Sequence, residues 1–216
     1  MPVAIVILTA TITALAALAL SRWMRVVADT ESFLLRFGLH VVLAGSGGAG
    51  AAMLARSAAE LVGFSVLALA CSLLVVIDIA AYRLPDIIVV PTYPLLFVAL
   101  TVAAAVEDDW GRLGRAAGAA AILAVTYLIL ALITPSGLGL GDVKLSGLLG
   151  AFLGWLGWSH VLLGTLAAFV LSAVVALVLL ILTKADRSSD FPFGPWMVAG
   201  AVLGAIFGPQ VFALSS

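Results

Sequence analysis

Residues 145–183 read LSGLLGAFLGWLGWSHVLLGTLAAFVLSAVVALVLLILT, 39 positions without an Asp, Glu, Lys or Arg. A helix that crosses a bilayer needs roughly 17 to 25 apolar residues, so this run is too long for one crossing and long enough for two. The polar and aromatic break Trp155-Leu156-Gly157-Trp158-Ser159-His160 divides it. Six more uncharged stretches of spanning length flank it, at 1–21, 37–55, 61–77, 87–106, 116–141 and 191–216. The sequence therefore predicts eight helices, at about 3–21, 38–55, 61–79, 87–106, 116–134, 143–157, 161–183 and 195–213. They take up most of the chain and leave no soluble domain of useful size.

Composition agrees. The 216 residues are 64% hydrophobic and 10% charged, with a mean hydropathy of +1.29. A soluble core of this size cannot hide so much apolar surface from water. The fold class is all-α and polytopic, with the lipid bilayer as its solvent. A net charge of -1 supplies no basic field and excludes nucleic acid as a partner. One cysteine, Cys71, excludes an internal disulfide and a cysteine-built zinc site. All five Trp (23, 110, 155, 158, 196) fall near the expected helix ends, as interfacial rings do.

Ala17-Leu18-Ala19 has the look of a signal-peptide cleavage site. No positive charge precedes it, and Arg22 and Arg25 follow, so 3–21 is expected to be a retained helix. The odd-numbered loops hold seven basic residues: Arg22, Arg25, Arg36, Arg83, Lys144, Lys184 and Arg187. The even-numbered loops hold three, Arg56, Arg112 and Arg115. The positive-inside rule then puts the odd loops in the cytoplasm and both termini outside. Gly45-Ser46-Gly47-Gly48-Ala49-Gly50 matches a dinucleotide fingerprint in letters only. It lies inside an apolar run, where small residues let helices approach closely.

Most of the eleven acids fall in clusters expected of solvated loops. Three have other settings. Asp78 ends an apolar helix in Leu73-Leu74-Val75-Val76-Ile77-Asp78. Asp86 follows Pro85 and opens the next helix. Asp142 follows the glycine-rich turn Gly137-Leu138-Gly139-Leu140-Gly141 and opens another. An ionisable group at membrane depth is costly and marks a functional site by default. The topology puts Asp78 and Asp142 at one membrane face. Two carboxylates that converge there can share a proton, with one ionised to activate water and the other protonated to donate to a scissile carbonyl. No metal or cofactor is needed. Spacing does not show that they meet, and other readings stay open. Asp78 can be an interfacial acid reaching for headgroups. Asp86 suits a structural role at a helix start. Asp142 can cap its helix, although the alternating glycines permit unusual backbone angles and approach by another chain. Lys144 can pair with an acid or mark the cytoplasmic edge. His40, His160 and Cys71 stand alone.

Asp78 with Leu84-Pro85-Asp86, followed by Gly139-Leu140-Gly141-Asp142-Val143-Lys144-Leu145, resembles the type IV prepilin peptidases, bacterial intramembrane aspartic proteases. Phe191-Pro192-Phe193-Gly194-Pro195 is similar to their stretch before the last helix. The resemblance covers roughly 61–216, a six-helix catalytic core, and leaves 1–60 as an N-terminal helix pair of unknown role. It implies Asp78 and Asp142 as the catalytic pair, with Gly139, Gly141 and Lys144 in the active-site turn and Pro85 and Asp86 as structural neighbours. It implies a prepilin or pseudopilin substrate whose basic leader is cut at the cytoplasmic face of the bacterial inner membrane. A pilus or secretion machinery would then be a partner. Bifunctional members carry a cytoplasmic insert with paired cysteines and methylate the new N-terminus. With one cysteine and about 16 residues expected between its first two helices, this chain is expected to lack methyltransferase activity. The rival reading is a proton-coupled transporter. That would place its acids nearer the midplane and show repeated halves.

Overall fold

The computed structural model describes residues 2–30, 32–134, 138–183 and 192–213. Among them are eight α-helices and no strand. They are α1 (Val3–Ala28), α2 (Leu39–Leu54), α3 (Ala58–Ala81), α4 (Asp86–Glu107), α5 (Trp110–Ile133), α6 (Leu140–Leu156), α7 (Trp158–Thr183) and α8 (Gly194–Ala213), with a short 3-10 turn at Phe33–Leu35. Helices α1, α3, α4, α5 and α7 are long and apolar enough to cross a membrane. Helix α2 has 16 residues and α6 has 17, at or below the lower limit for a spanning helix. The chain is an all-α, multi-pass membrane protein.

Helix α1 runs seven residues past its expected end at 21. Nothing in Arg22-Trp23-Met24-Arg25 breaks a helix, and Arg25 in the last turn complements the negative end of the dipole. The stop is Asp29, in the left-handed region at φ 50°, whose N–H donates to the Arg25 carbonyl. Tyr82 (φ 51°) ends α3 and Asp108 (φ 52°) ends α4 in the same way. Helix α4 continues through Pro91 and Pro94, as membrane helices tolerate. One residue, Gly157, separates α6 from α7, at the break the sequence marks. Its φ of 151° and ψ of 163° lie where glycine alone is unstrained.

The chain divides into two compact units, Met1–Trp110 and Gly111–Ser216. In the first, α1 packs on α2 and α3, α2 on α3, and α3 on α4. The glycine-rich stretch of α2 faces α1 at close range. A Cβ on Gly48 would lie 3.0 Å from the Thr13 Cβ, and the Thr13 hydroxyl lies 2.8 Å from the Ala44 carbonyl oxygen. His40, 2% exposed, pairs through Nε2 with the Ser21 hydroxyl at 2.7 Å. His40, isolated in the sequence, is thus a tie between α1 and α2.

In the second unit α7 packs on α8, and α6 packs on both. Helix α6 also lies tight against α5, where a Cβ on Gly150 would stand 2.8 Å from the Ala119 carbonyl oxygen. The C-terminal end of α6 is held by two arginines of α5. Arg115 Nε donates to the Gly154 carbonyl at 2.7 Å and its Nη2 to the Trp155 carbonyl at 3.2 Å. The Arg112 guanidinium lies 4.3 Å above the Trp155 ring. Trp155 is fully buried, so it is a core ring rather than the interfacial one its position in the sequence suggests. His160 ties α7 to α8 through Nδ1 and the Gly204 carbonyl, 2.8 Å apart.

Candidate active site

Asp78 occupies the last turn of α3 and is 5% exposed. Its carbonyl accepts the Tyr82 N–H at 2.8 Å, the bond that closes the helix. This is a poor place for a structural carboxylate. The C-terminal end of a helix dipole is negative, and burial strips the charge of water. Asp86, eight residues on, has the opposite setting. It is exposed and is the first residue of α4, after the N-cap Pro85. There the dipole favours an anion, and the Pro85 carbonyl accepts the Ile88 and Val89 N–H groups. Arg83, between the two acids, donates from Nη2 to the carbonyls of Val27 and Ala28 at 2.9 and 2.6 Å. Those carbonyls end α1, so α1 is fastened to the turn that follows Asp78.

The other candidates gather in the first turn of α6. Gly139 is the N-cap, Gly141 and Asp142 follow within the turn, and Lys144 is half-buried. Asp142 is 9% exposed. Its Oδ2 accepts the Gly139 N–H at 3.0 Å, and its own N–H donates to the Gly139 carbonyl at 3.1 Å. This is the N3 half of a capping box, which orients the carboxylate and leaves Oδ1 outside the cap. Gly139 has φ -85° and ψ 159°, ordinary extended backbone, so the unusual angle expected of it is not used. What glycine supplies there is room: the residue is exposed, and a Cβ would meet nothing nearer than Asp142 Oδ2, at 3.6 Å. Gly137 lies outside the described residues, as does Phe191. The rest of that late motif caps α8, with the Phe193 carbonyl accepting the Trp196 and Met197 N–H groups. The Phe193 ring joins Tyr127 and Phe169, with centroids 5.5 to 6.1 Å apart.

Asp78 belongs to the first unit and Asp142 to the second. One fully buried acid, Glu60, is not among the candidates the sequence suggests. Its Oε2 accepts the Arg56 N–H at 2.6 Å, while the Ser57 hydroxyl accepts the Glu60 N–H at 3.3 Å. The signal was present as Ser57-Ala58-Ala59-Glu60, a capping-box pattern before an apolar run, and the role is structural. No cluster of three or more His, Cys, Asp or Glu suited to a metal occurs among the described residues.

Residues 65–181 match the model of the type IV leader peptidase family, and Asp78, Asp86 and Asp142 all lie inside the match. The chain is 33% identical over 143 residues to the prepilin leader peptidase/N-methyltransferase of Stutzerimonas stutzeri, covering 63% of this chain and 46% of that one. The protein of that name from Burkholderia pseudomallei strain 1026b is 32% identical over 188 residues, 83% of this chain and 57% of its own. One from Pectobacterium carotovorum is 42% identical over 69 residues, 32% of this chain and 24% of its own. The chain spans about half the length of the curated relatives it matches. No solved structure matches significantly. With a family model covering more than half of its length, the chain belongs to the type IV leader peptidase family.

Proposed function

We propose that the chain is an aspartic endopeptidase that removes the basic leader of prepilins or pseudopilins at the cytoplasmic face of the bacterial inner membrane. Asp78 and Asp142 are its acid pair. The observation that carries the reading is the contrast between Asp78 and Asp86. Two acids flank one turn; the structural one is exposed at a favourable helix start, and the other is buried at an unfavourable helix end. A carboxylate kept in such a place points to chemistry rather than stability. The family match and the relatives' names support peptide cleavage as that chemistry.

In this mechanism one carboxylate is ionised and takes a proton from water as the water attacks the scissile carbonyl. The other is protonated and donates to the developing oxyanion. The Gly139 N–H fixes the Asp142 carboxyl plane, so little reorientation is needed at the moment of attack. The exposed, side-chain-free surface of Gly139 gives an extended peptide access to Asp142. The substrate's basic leader stays inside by the charge rule that orients the enzyme. Gly141 and Lys144 belong to the same turn, with Lys144 at the cytoplasmic edge. The product N-terminus leaves unmethylated. Residues 61–216 form the catalytic core, and 1–60 are a helix pair packed in the same unit as α3 and α4.

The test is co-expression with tagged prepilins and mass spectrometry of their N-termini. Cleavage after the leader is expected from the wild type and from Asp86→Asn. Asp78→Asn and Asp142→Asn should each lose at least about 10²-fold, the scale of a general acid or base. Intact leaders with well-expressed wild type, or equal losses in all three variants, would overturn the assignment.

A further inference from the structure

Helices α5 to α8 surround a small hollow in the second unit, with about 10 Å³ open to the centre of a water molecule. That is room for one water. Most of its wall is apolar, but Tyr127 of α5, Ser146 of α6 and Thr165 of α7 line it too. Thr165 is the informative residue. Thr9, Thr11, Thr13, Thr92, Thr101 and Thr126 each donate the side-chain hydroxyl to the carbonyl four residues back. Within a helix this is the local way to satisfy a threonine in lipid. The Thr165 hydroxyl makes no such bond, is shielded from solvent and has no hydrogen-bond partner among the described residues.

A buried hydroxyl left unsatisfied is costly, so its partner must come from outside the described residues. An acyl chain or any other apolar occupant leaves it unsatisfied. A water does not, and a second partner is at hand. The Ser146 hydroxyl donates to the Val143 carbonyl at 2.7 Å, which leaves its oxygen lone pairs to accept. Ser146 lies four residues, one helical turn, after Asp142 on the same face of α6.

We propose that one ordered water occupies this hollow, bridges Thr165 of α7 to Ser146 of α6, and holds the first turn of α6 at a fixed height beside α7. Thr165 is then a positioning residue for Asp142, a role that rests on the peptidase reading; the water itself does not.

The experiment is a high-resolution structure of the full chain in lipid, as wild type, Thr165→Ser and Thr165→Val. Valine keeps the shape and removes the hydroxyl. A single peak within hydrogen-bond reach of the residue-165 hydroxyl and Ser146 is expected in the first two and not in the third. An empty hollow in the wild type, or an unchanged peak in the valine variant, overturns the proposal whether or not leaders are cut. In the cleavage assay Thr165→Val should lower kcat by roughly two- to tenfold, the range of one hydrogen bond, with KM unchanged. Thr165→Ser should restore the wild-type rate. Equal losses in both variants, or a change in KM alone, would overturn the positioning role.

Discussion

Glu60, Asp78 and Asp142 are buried acids near helix ends, and a single substitution isolates the structural load of Glu60. Glu60 is wholly enclosed and its carboxylate satisfies the Arg56 N–H. Glu60→Ala strands that donor, so it should destabilise the protein by about 1–3 kcal/mol. The loss should read as a lower midpoint in denaturant titrations of the purified protein, with leader cleavage intact wherever the variant stays folded. Gly139 has room for a methyl group and no need of glycine's backbone freedom. Gly139→Ala should therefore leave thermal stability within about 0.5 kcal/mol, as a surface change does. If the substrate lies across that glycine, the same variant should raise KM in the cleavage assay. An unchanged KM would move the substrate path elsewhere.

At the scale of the helix, the close contact of α5 with α6 has no slack. A methyl on Gly150 meets the backbone of Ala119, which cannot turn aside as a flexible side chain would. Gly150→Ala should cost about 1–3 kcal/mol, measured by the same denaturant titration, as overpacking of a tight core does. Most helix limits were legible because their causes are local. Gly157 breaks the 39-residue run, and Pro85 opens α4. What was not legible came from partners distant in sequence. Trp155 reads as interfacial from its place near a helix end, but it is fully buried, with the Arg112 guanidinium, 43 positions earlier, over its ring. Arg22 and Arg25 read as the start of a loop, because a charged residue is costly inside the apolar layer. A helix can leave the apolar layer and continue, and α1 does. The local settings of Asp78 and Asp86 were readable from order alone; that one is buried and the other exposed was not.

For the whole molecule, the asymmetry of Lys and Arg predicts an orientation that chemical labelling can read. Cys71 is buried in α3, so Cys71→Ser gives a background without a native thiol. Tyr82, after α3, and Trp110, which opens α5, are 56% and 53% exposed and suit single replacements by cysteine. A membrane-impermeant maleimide applied to intact cells should label Trp110→Cys. It should reach Tyr82→Cys only after the membrane is opened. The reverse pattern would put Asp78 outside and remove the cytoplasmic leader as its substrate.

The arginine grip on α6 is mechanically one-sided. Arg115 and Arg112 seize the Gly154 and Trp155 end, while Asp142 rides near the other, 12 residues before Gly154 and 13 before Trp155 in the 17-residue helix. At about 1.5 Å per residue that is a lever arm of about 20 Å. A tilt of only about 3° about the gripped end swings the carboxylate through about 1 Å, and errors of that size are enough to cost on the order of 10²-fold in rate. With Asp142 as one of the proposed acid pair, the stiffness of an anchor at the far end of the helix would set the tolerance of the reaction, and variants of Arg115 should be felt first in turnover.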